Sequence, residues 1–188
     1  MDEKKQYPVC CFTGHRQKGF PYPLQGEDER YLALRRLIRA QIEELILHRS
    51  CRHFICGMAE GFDLTAGLEA ALAKRRYAKL GITLEAAIPF PEQTKSWSER
   101  LRVRYETVLA ECDQKTVVCP SYSRGVYQIR NRYMVDRSDI VLAAWNGEPS
   151  GTGSTVRYAL SKDIPVILID PAAIGLTADP LHTGAERS

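Results

Sequence analysis

No apolar run of about 18 residues occurs in the 188-residue chain, which speaks against a membrane-spanning helix. The opening MDEKKQYP is polar and lacks an apolar stretch of the signal-peptide kind, so the expectation is a cytoplasmic protein. Excess charge of one sign is nearly missing. The net charge is +3 and there is no basic tail, which sets nucleic acid aside as a partner. The six cysteines, at 10, 11, 51, 56, 112 and 119, form no C-x-x-C pair, and Cys10, Cys11, Cys56 and Cys119 lie in or beside apolar runs. They read as buried reduced thiols, and no metal site is expected. Neither G-x-G-x-x-G after the first strand nor G-x-x-x-x-G-K-[ST] is found, which excludes an ordinary dehydrogenase or P-loop NTPase. There is no internal repeat.

What is present is an alternation of short apolar runs with longer amphipathic ones. Apolar residues make up 44% of the chain and charged residues 26%, as in an ordinary globular domain. Strands are expected at 9–14, 53–57, 84–90, 115–120, 139–145 and 164–170. Helices are expected at 29–48, 64–80, from a Ser96 or Ser98 cap to about 111, at 125–137 and at 154–163. The regular order implies an α/β, Rossmann-like, doubly wound domain over residues 1–170, with a mainly parallel sheet of about six strands and helices on both faces. The strands read as continuous apolar runs, as when both faces are covered. The segment 171–188 has no periodicity and is expected to be a flexible tail.

In such sheets ligands bind beyond the carboxyl ends of the strands, near the point where the strand order reverses. The turns at those ends carry Thr13, Gly14, His15 and Arg16; Gly57, Gly61 and Asp63; and NGEPSGTGS at 146–154. Glycines admit close backbone approach. The last of these turns opens a helix, whose unpaired N–H groups and dipole suit a phosphate. Gly151, Thr152, Gly153, Ser154 and Thr155 are the candidate cradle. Of Arg130 and Arg132, two residues apart on one helix, only one is expected to reach the site. Asp63 suits a ribose hydroxyl or the helix dipole equally well.

The segments CFTGHR (11–16), GMAEGFDLTA (57–66), AAIPFPEQTKSW (86–97), RNRYMVDRSDIVLAAW (130–145) and GTGSTVRYA (151–159) resemble the SLOG superfamily, most closely its YpsA-like branch of small bacterial and phage-associated proteins. The resemblance runs from Val9 to Asp170. It implies a Rossmann-like fold and a nucleotide-derived ligand of the ADP-ribose, NAD or nucleotide class, bound by a sensor or regulator. No cofactor is firmly implied beyond such a bound molecule. Relatives often dimerise, which implies a homodimer as the form of self-association.

The LOG-type phosphoribohydrolases of the superfamily pair an arginine before a Met…Ser-Asp segment with P-G-G-x-G-T-x-x-E. Here the first part is matched by Arg130, Met134, Ser138 and Asp139, whereas Arg157 stands where those enzymes have their catalytic glutamate. A carboxylate can stabilise an oxocarbenium-like centre and activate water; a guanidinium cannot, but it pairs well with phosphate. The resemblance therefore implies a binding protein, with Arg157 on phosphate. Nucleotide or ADP-ribose hydrolysis is the alternative, with Glu60 or Glu148 supplying a carboxylate. A further alternative follows DNA-processing relatives: single-stranded nucleic acid on Arg16, Lys18, Arg124, Arg130, Tyr122 and Tyr127.

Overall fold

The structure is a computed structural model that describes residues 5–175. Six strands form one parallel sheet: β1 (Val9–Gly14), β2 (His53–Cys56), β3 (Thr83–Ile88), β4 (Gln114–Val117), β5 (Ile140–Ala144) and β6 (Val166–Ile169). Five helices connect them: α1 (Glu29–His48), α2 (Phe62–Arg76), α3 (Glu99–Glu111), α4 (Val126–Val135) and α5 (Gly151–Leu160). The strand order is β4-β3-β2-β1-β5-β6, so the direction of progression reverses between β1 and β5.

Alternation along the strands builds two cores. Cys10 and Phe12 of β1, with Phe54, Leu84 and Leu142, face the apolar stripe of α1 and the inner faces of α2 and α3. Cys11, Ile55, Ala87, Val141 and Ala143 point the other way, onto Met134 and Val135 of α4 and Val156 and Ala159 of α5. Helices on both faces make the sheet Rossmann-like and doubly wound, and both faces of β1 and β5 are buried. Burial pushes the Cys11 and Cys51 thiols up to about 12, so neither is a thiolate at neutral pH.

Local chemistry sets the helix starts. Asp28 caps α1 by accepting the N–H groups of Arg30 and Tyr31, and Ser98, not Ser96, caps α3 through Leu101 N. Three expectations need correction. The helix expected from 154 begins at Gly151, because Ser150 caps it by accepting Gly153 N at 3.0 Å. Two glycines in its first turn hide that start from a propensity reading. β4 ends at Val117 and leaves Gln114, Lys115 and Val117 exposed, since it is an edge strand with only β3 beside it. Of the expected flexible tail, residues 171–175 are a turn with Pro171 buried and Ile174 packed on the core, whereas 176–188 lie outside the described residues. Among the described residues no helix is long and apolar enough to cross a membrane.

Candidate functional site

The reversal of strand order opens a crevice at the carboxyl ends of β1 and β5. Backbone and side chain both tie its two sides together. His15 N donates to the Ala144 carbonyl at 3.2 Å, and His15 Nε2 lies 2.8 Å from Asn146 Oδ1. The N–H of Glu148 also donates to that Oδ1, at 3.2 Å, and the Asn146 N–H lies 3.4 Å from His15 Nε2, so backbone and side chains knit the two turns together. The resulting cleft is about 440 Å³, within the range of small-molecule sites.

One wall is the end of β1 and the segment after it, with Thr13, Gly14, His15, Arg16 and Lys18. The opposite wall is the turn into α5, with Asn146, Glu148, Ser150, Gly151 and Thr152. Asp63 of α2 and Tyr127, Arg130 and Asn131 of α4 close the floor and the side. Arg16 lies over the Tyr127 ring, 5.1 Å from its centroid. Tyr127 continues into an aromatic row, with Phe90 at 6.0 Å and Tyr122 5.4 Å beyond it.

Arg130 and Asp63 form the buried electrostatic centre. Arg130 is 4% exposed and Asp63 3%, and Arg130 Nη1 lies 3.2 Å from Asp63 Oδ2 while also donating to the Gly57 carbonyl. Burial pushes the Asp63 carboxyl up to about 6, against the pull of Arg130 and a backbone hydrogen bond at Ala59. Arg130 Nε is buried with no hydrogen-bond acceptor among the described residues. Such a donor is expensive to leave unmatched, at about 1–3 kcal/mol.

The expected site residues divide into three groups. Thr13, Gly14, His15, Arg16, Asp63, Arg130, Gly151 and Thr152 meet in the cleft, and so does Glu148. Gly57 and Gly61 lie beneath it. A β-carbon on Gly57 would fall 1.6 Å from Arg130 Nη1, and one on Gly61, whose φ is +97°, would fall 2.6 Å from the His15 carbonyl. The third group lies elsewhere. Gly153 packs on the Trp145 indole, and Ser154 and Thr155 border a separate recess of about 80 Å³ with Asn131. Glu60 lines a different groove, across the segment after β1. Arg157 is exposed, outside the cleft, with Nη2 at 3.3 Å from Ser154 Oγ.

Arg130 is the member of its pair that reaches the cleft, while Arg132 stacks on Tyr158 at 5.3 Å. Sequence reasoning missed Asn131 and Asn146. Asn146 had a usable signal, since it stands directly after the apolar run of β5, but a polar residue at a strand end is too common to single out.

Comparison with known proteins places this geometry in context. An uncharacterized SPbeta prophage-derived protein, YoqJ, of Bacillus subtilis (strain 168) is 31% identical over 140 residues, covering 68% of this chain and 81% of that protein. The UPF0398 protein YpsA of the same organism is 30% identical over 94 residues, 49% of this chain and 51% of its own length. Among solved structures, DNA processing protein A (DprA) of Streptococcus pneumoniae shares the fold with a TM-score of 0.56 at 16% identity, over 94% of this chain but 52% of that one. The Helicobacter pylori DprA, whose structure describes its single-stranded DNA binding mode, gives 0.55 at 16% identity, over 88% of this chain and 70% of that one. This corrects the expectation, drawn from net charge, that nucleic acid is not a partner. A protein of this fold binds single-stranded DNA, and a sum of +3 says nothing about where the charges lie. The family model described as the YspA SLOG family matches residues 10–171, and the chain belongs to that family.

Proposed function

We propose that the cleft binds a phosphate-bearing, nucleotide-derived ligand of the ADP-ribose, NAD or nucleotide class, and that the protein acts as a sensor or regulator. The observation that carries this reading is Arg130: a guanidinium 4% exposed, held on Asp63, bordering the cleft with Nε unmatched. A shift of the Arg130 side chain toward the cleft would bring that donor to a ligand oxygen. Arg16, Lys18 and the first turn of α5 supply positive charge and N–H groups around it. The test is calorimetric titration of ligand-stripped protein with ADP-ribose, with chromatography of the cell contents afterwards. Saturable heat with intact ligand supports a binding protein. Absence of heat with ADP-ribose, NAD and AMP alike overturns it. Cleavage that is lost in Glu148→Gln would instead assign a hydrolase, since Glu148 is the carboxylate candidate that borders the cleft.

A second reading, single-stranded nucleic acid, has its own observation. Tyr122 is 66% exposed and extends the Phe90–Tyr127 row away from Arg16, giving stackable rings beside a cation. Oligonucleotide binding that weakens steeply with salt, and drops by about 1–3 kcal/mol in Tyr122→Ala, supports it. Affinity that is flat with salt counts against it.

A further inference from the structure

Across the segment after β1 lies a second groove, of about 530 Å³, whose chemistry the cleft does not use. Tyr31 and Arg35 of α1, Arg100 and Arg104 of α3, and Glu60 line it. Its walls are braced. The Gln17 amide donates to the Tyr22 carbonyl at 2.9 Å and accepts Leu24 N at 2.7 Å, which folds the 20–26 segment over. Arg104 then holds the Leu24 carbonyl, the Tyr31 hydroxyl at 3.0 Å and Thr65 Oγ1 at 2.6 Å.

All three acceptors are neutral, and Arg104 makes no ion pair among the described residues. Arg35 and Arg104 lie around one ring, 5.9 and 5.7 Å from the Tyr31 centroid. The buried Glu69 is already shared between Arg35, at 2.6 Å, and Arg39, at 3.0 Å. Of the charged residues that line the groove, three are arginines (35, 100 and 104) and one is a carboxylate, Glu60. Burial lowers the Arg104 pKa; Tyr31 opposes that effect, and the like charges of Arg35 and Arg100 add to it. Arg100 is the second residue of α3, where a positive charge opposes the helix dipole. Each of these costs shrinks when an anion sits between the arginines. Of five N–H donors on Arg104, three are committed to the walls, so two remain.

We propose that this groove is a second anion site, which takes a phosphate-type oxyanion between Arg100 and Arg104 with Arg35 behind them. It is separate from the cleft and does not depend on what the cleft binds. Either inorganic phosphates or a phosphodiester strand carries the required chemistry.

The test uses the full chain, isotope-labelled, with the arginine Nε–H signals followed by NMR during titration with inorganic pyrophosphate. Saturable shifts at Arg100 and Arg104 are expected, with affinity falling about tenfold in Arg100→Gln, the loss expected for one charge-assisted contact. Arg100 is exposed, so this variant keeps the fold, and Arg100→Glu should abolish the shifts. Non-saturating drift shared by all arginines, or an Arg100→Gln affinity equal to the wild type, overturns the proposal. Cleft signals such as the Gly151 amide are read in the same spectra, so failure at one site is distinguished from failure at the other. A second arm adds a short single-stranded oligothymidylate. Displacement of pyrophosphate assigns a phosphodiester source; retention assigns a free phosphate source; the anion site stands in both cases.

Discussion

The two glycine-bearing turns at the ligand edge look alike in sequence and differ in their surroundings. A β-carbon on Gly57 would meet Arg130 Nη1 at 1.6 Å and Asp63 Oδ2 at 2.4 Å, so the protein itself fills the space that glycine leaves. A β-carbon on Gly151 would meet nothing within 4 Å, and Gly151 needs no positive φ. Yet Gly151 borders the cleft. The first glycine is explained from within the chain: it lets a buried arginine reach a carbonyl and a carboxylate. The second has no internal reason, and bare backbone beside open space is what close approach of a ligand requires. Glycine content alone cannot make this distinction.

The comparison breaks most visibly at Gly57. In Gly57→Ala the methyl group would displace the Arg130 guanidinium and leave Asp63 without its partner in a buried site. The expected loss is about 3–5 kcal/mol in denaturant-induced unfolding, as for other broken buried pairs. A loss under about 1 kcal/mol would mean that Arg130 does not rest against Gly57.

A smaller effect follows from the Asp63 carboxyl, which titrates at about 6 in the folded protein against an ordinary 3.8. The folded state therefore binds this proton more tightly than the unfolded chain does. The resulting stabilisation is fully present below about pH 4 and is lost as the pH rises through 6. It is on the order of 2–3 kcal/mol for a shift of this size. Asp63→Asn should remove this fall between pH 4 and 6, whatever it does to absolute stability. Unfolding curves across that range check it, and an unchanged slope would show that Asp63 stays ionised throughout.

Gly151→Ala sharpens the contrast because its two readouts should move in opposite directions. Thermal stability is expected to stay level or rise by about 0.4–1 kcal/mol, since alanine loses less backbone freedom on folding. Affinity for ADP-ribose in the calorimeter is expected to fall about tenfold, or about 1.4 kcal/mol, if phosphate approaches that backbone. Unchanged affinity would remove the first turn of α5 from the site.

How much of this was legible in the sequence depends on what each residue answers to. β1 and α1 were read to the residue, Val9–Gly14 and Glu29–His48, because their apolar patterns are unbroken and Asp28 provides a side-chain cap. The start of α5 was hidden because Gly151 and Gly153 read as loop, while the Ser150 cap was not recognised as one. The meeting of Thr13–Arg16 with Gly151 and Thr152 follows from sheet topology and was accessible. The Arg130–Asp63 pair joins residues 67 apart, and it forms because α4, on one face of the sheet, sends Arg130 to the turn after β2 and the first turn of α2, on the other. No local pattern encodes that. Arg104 escaped for the same reason: a charged residue on an amphipathic helix reads as solvated until the 20–26 segment folds over it.

The start of α5 also bears on Arg157, to which the resemblance gives a phosphate role, and that yields the smallest predicted effect. With the helix beginning at Gly151, the buried positions are Thr152, Gly153, Thr155, Val156 and Ala159, whereas Ser154, Arg157, Leu160 and Ser161 fall on the outer face. Residues three and four apart share a helical face, so Arg157 goes with Ser154, whose hydroxyl it meets, and not with Thr152 at the cleft. An arginine on that face gives up a weak contact and little else on truncation. Arg157→Ala should therefore leave both stability and ADP-ribose affinity within about 0.5 kcal/mol of the wild type, as for a surface substitution. A tenfold or larger loss of affinity, measured by the same calorimetric titration, would require this face of α5 to turn toward the ligand on binding. The phosphate role that the resemblance implies for Arg157 would then be restored.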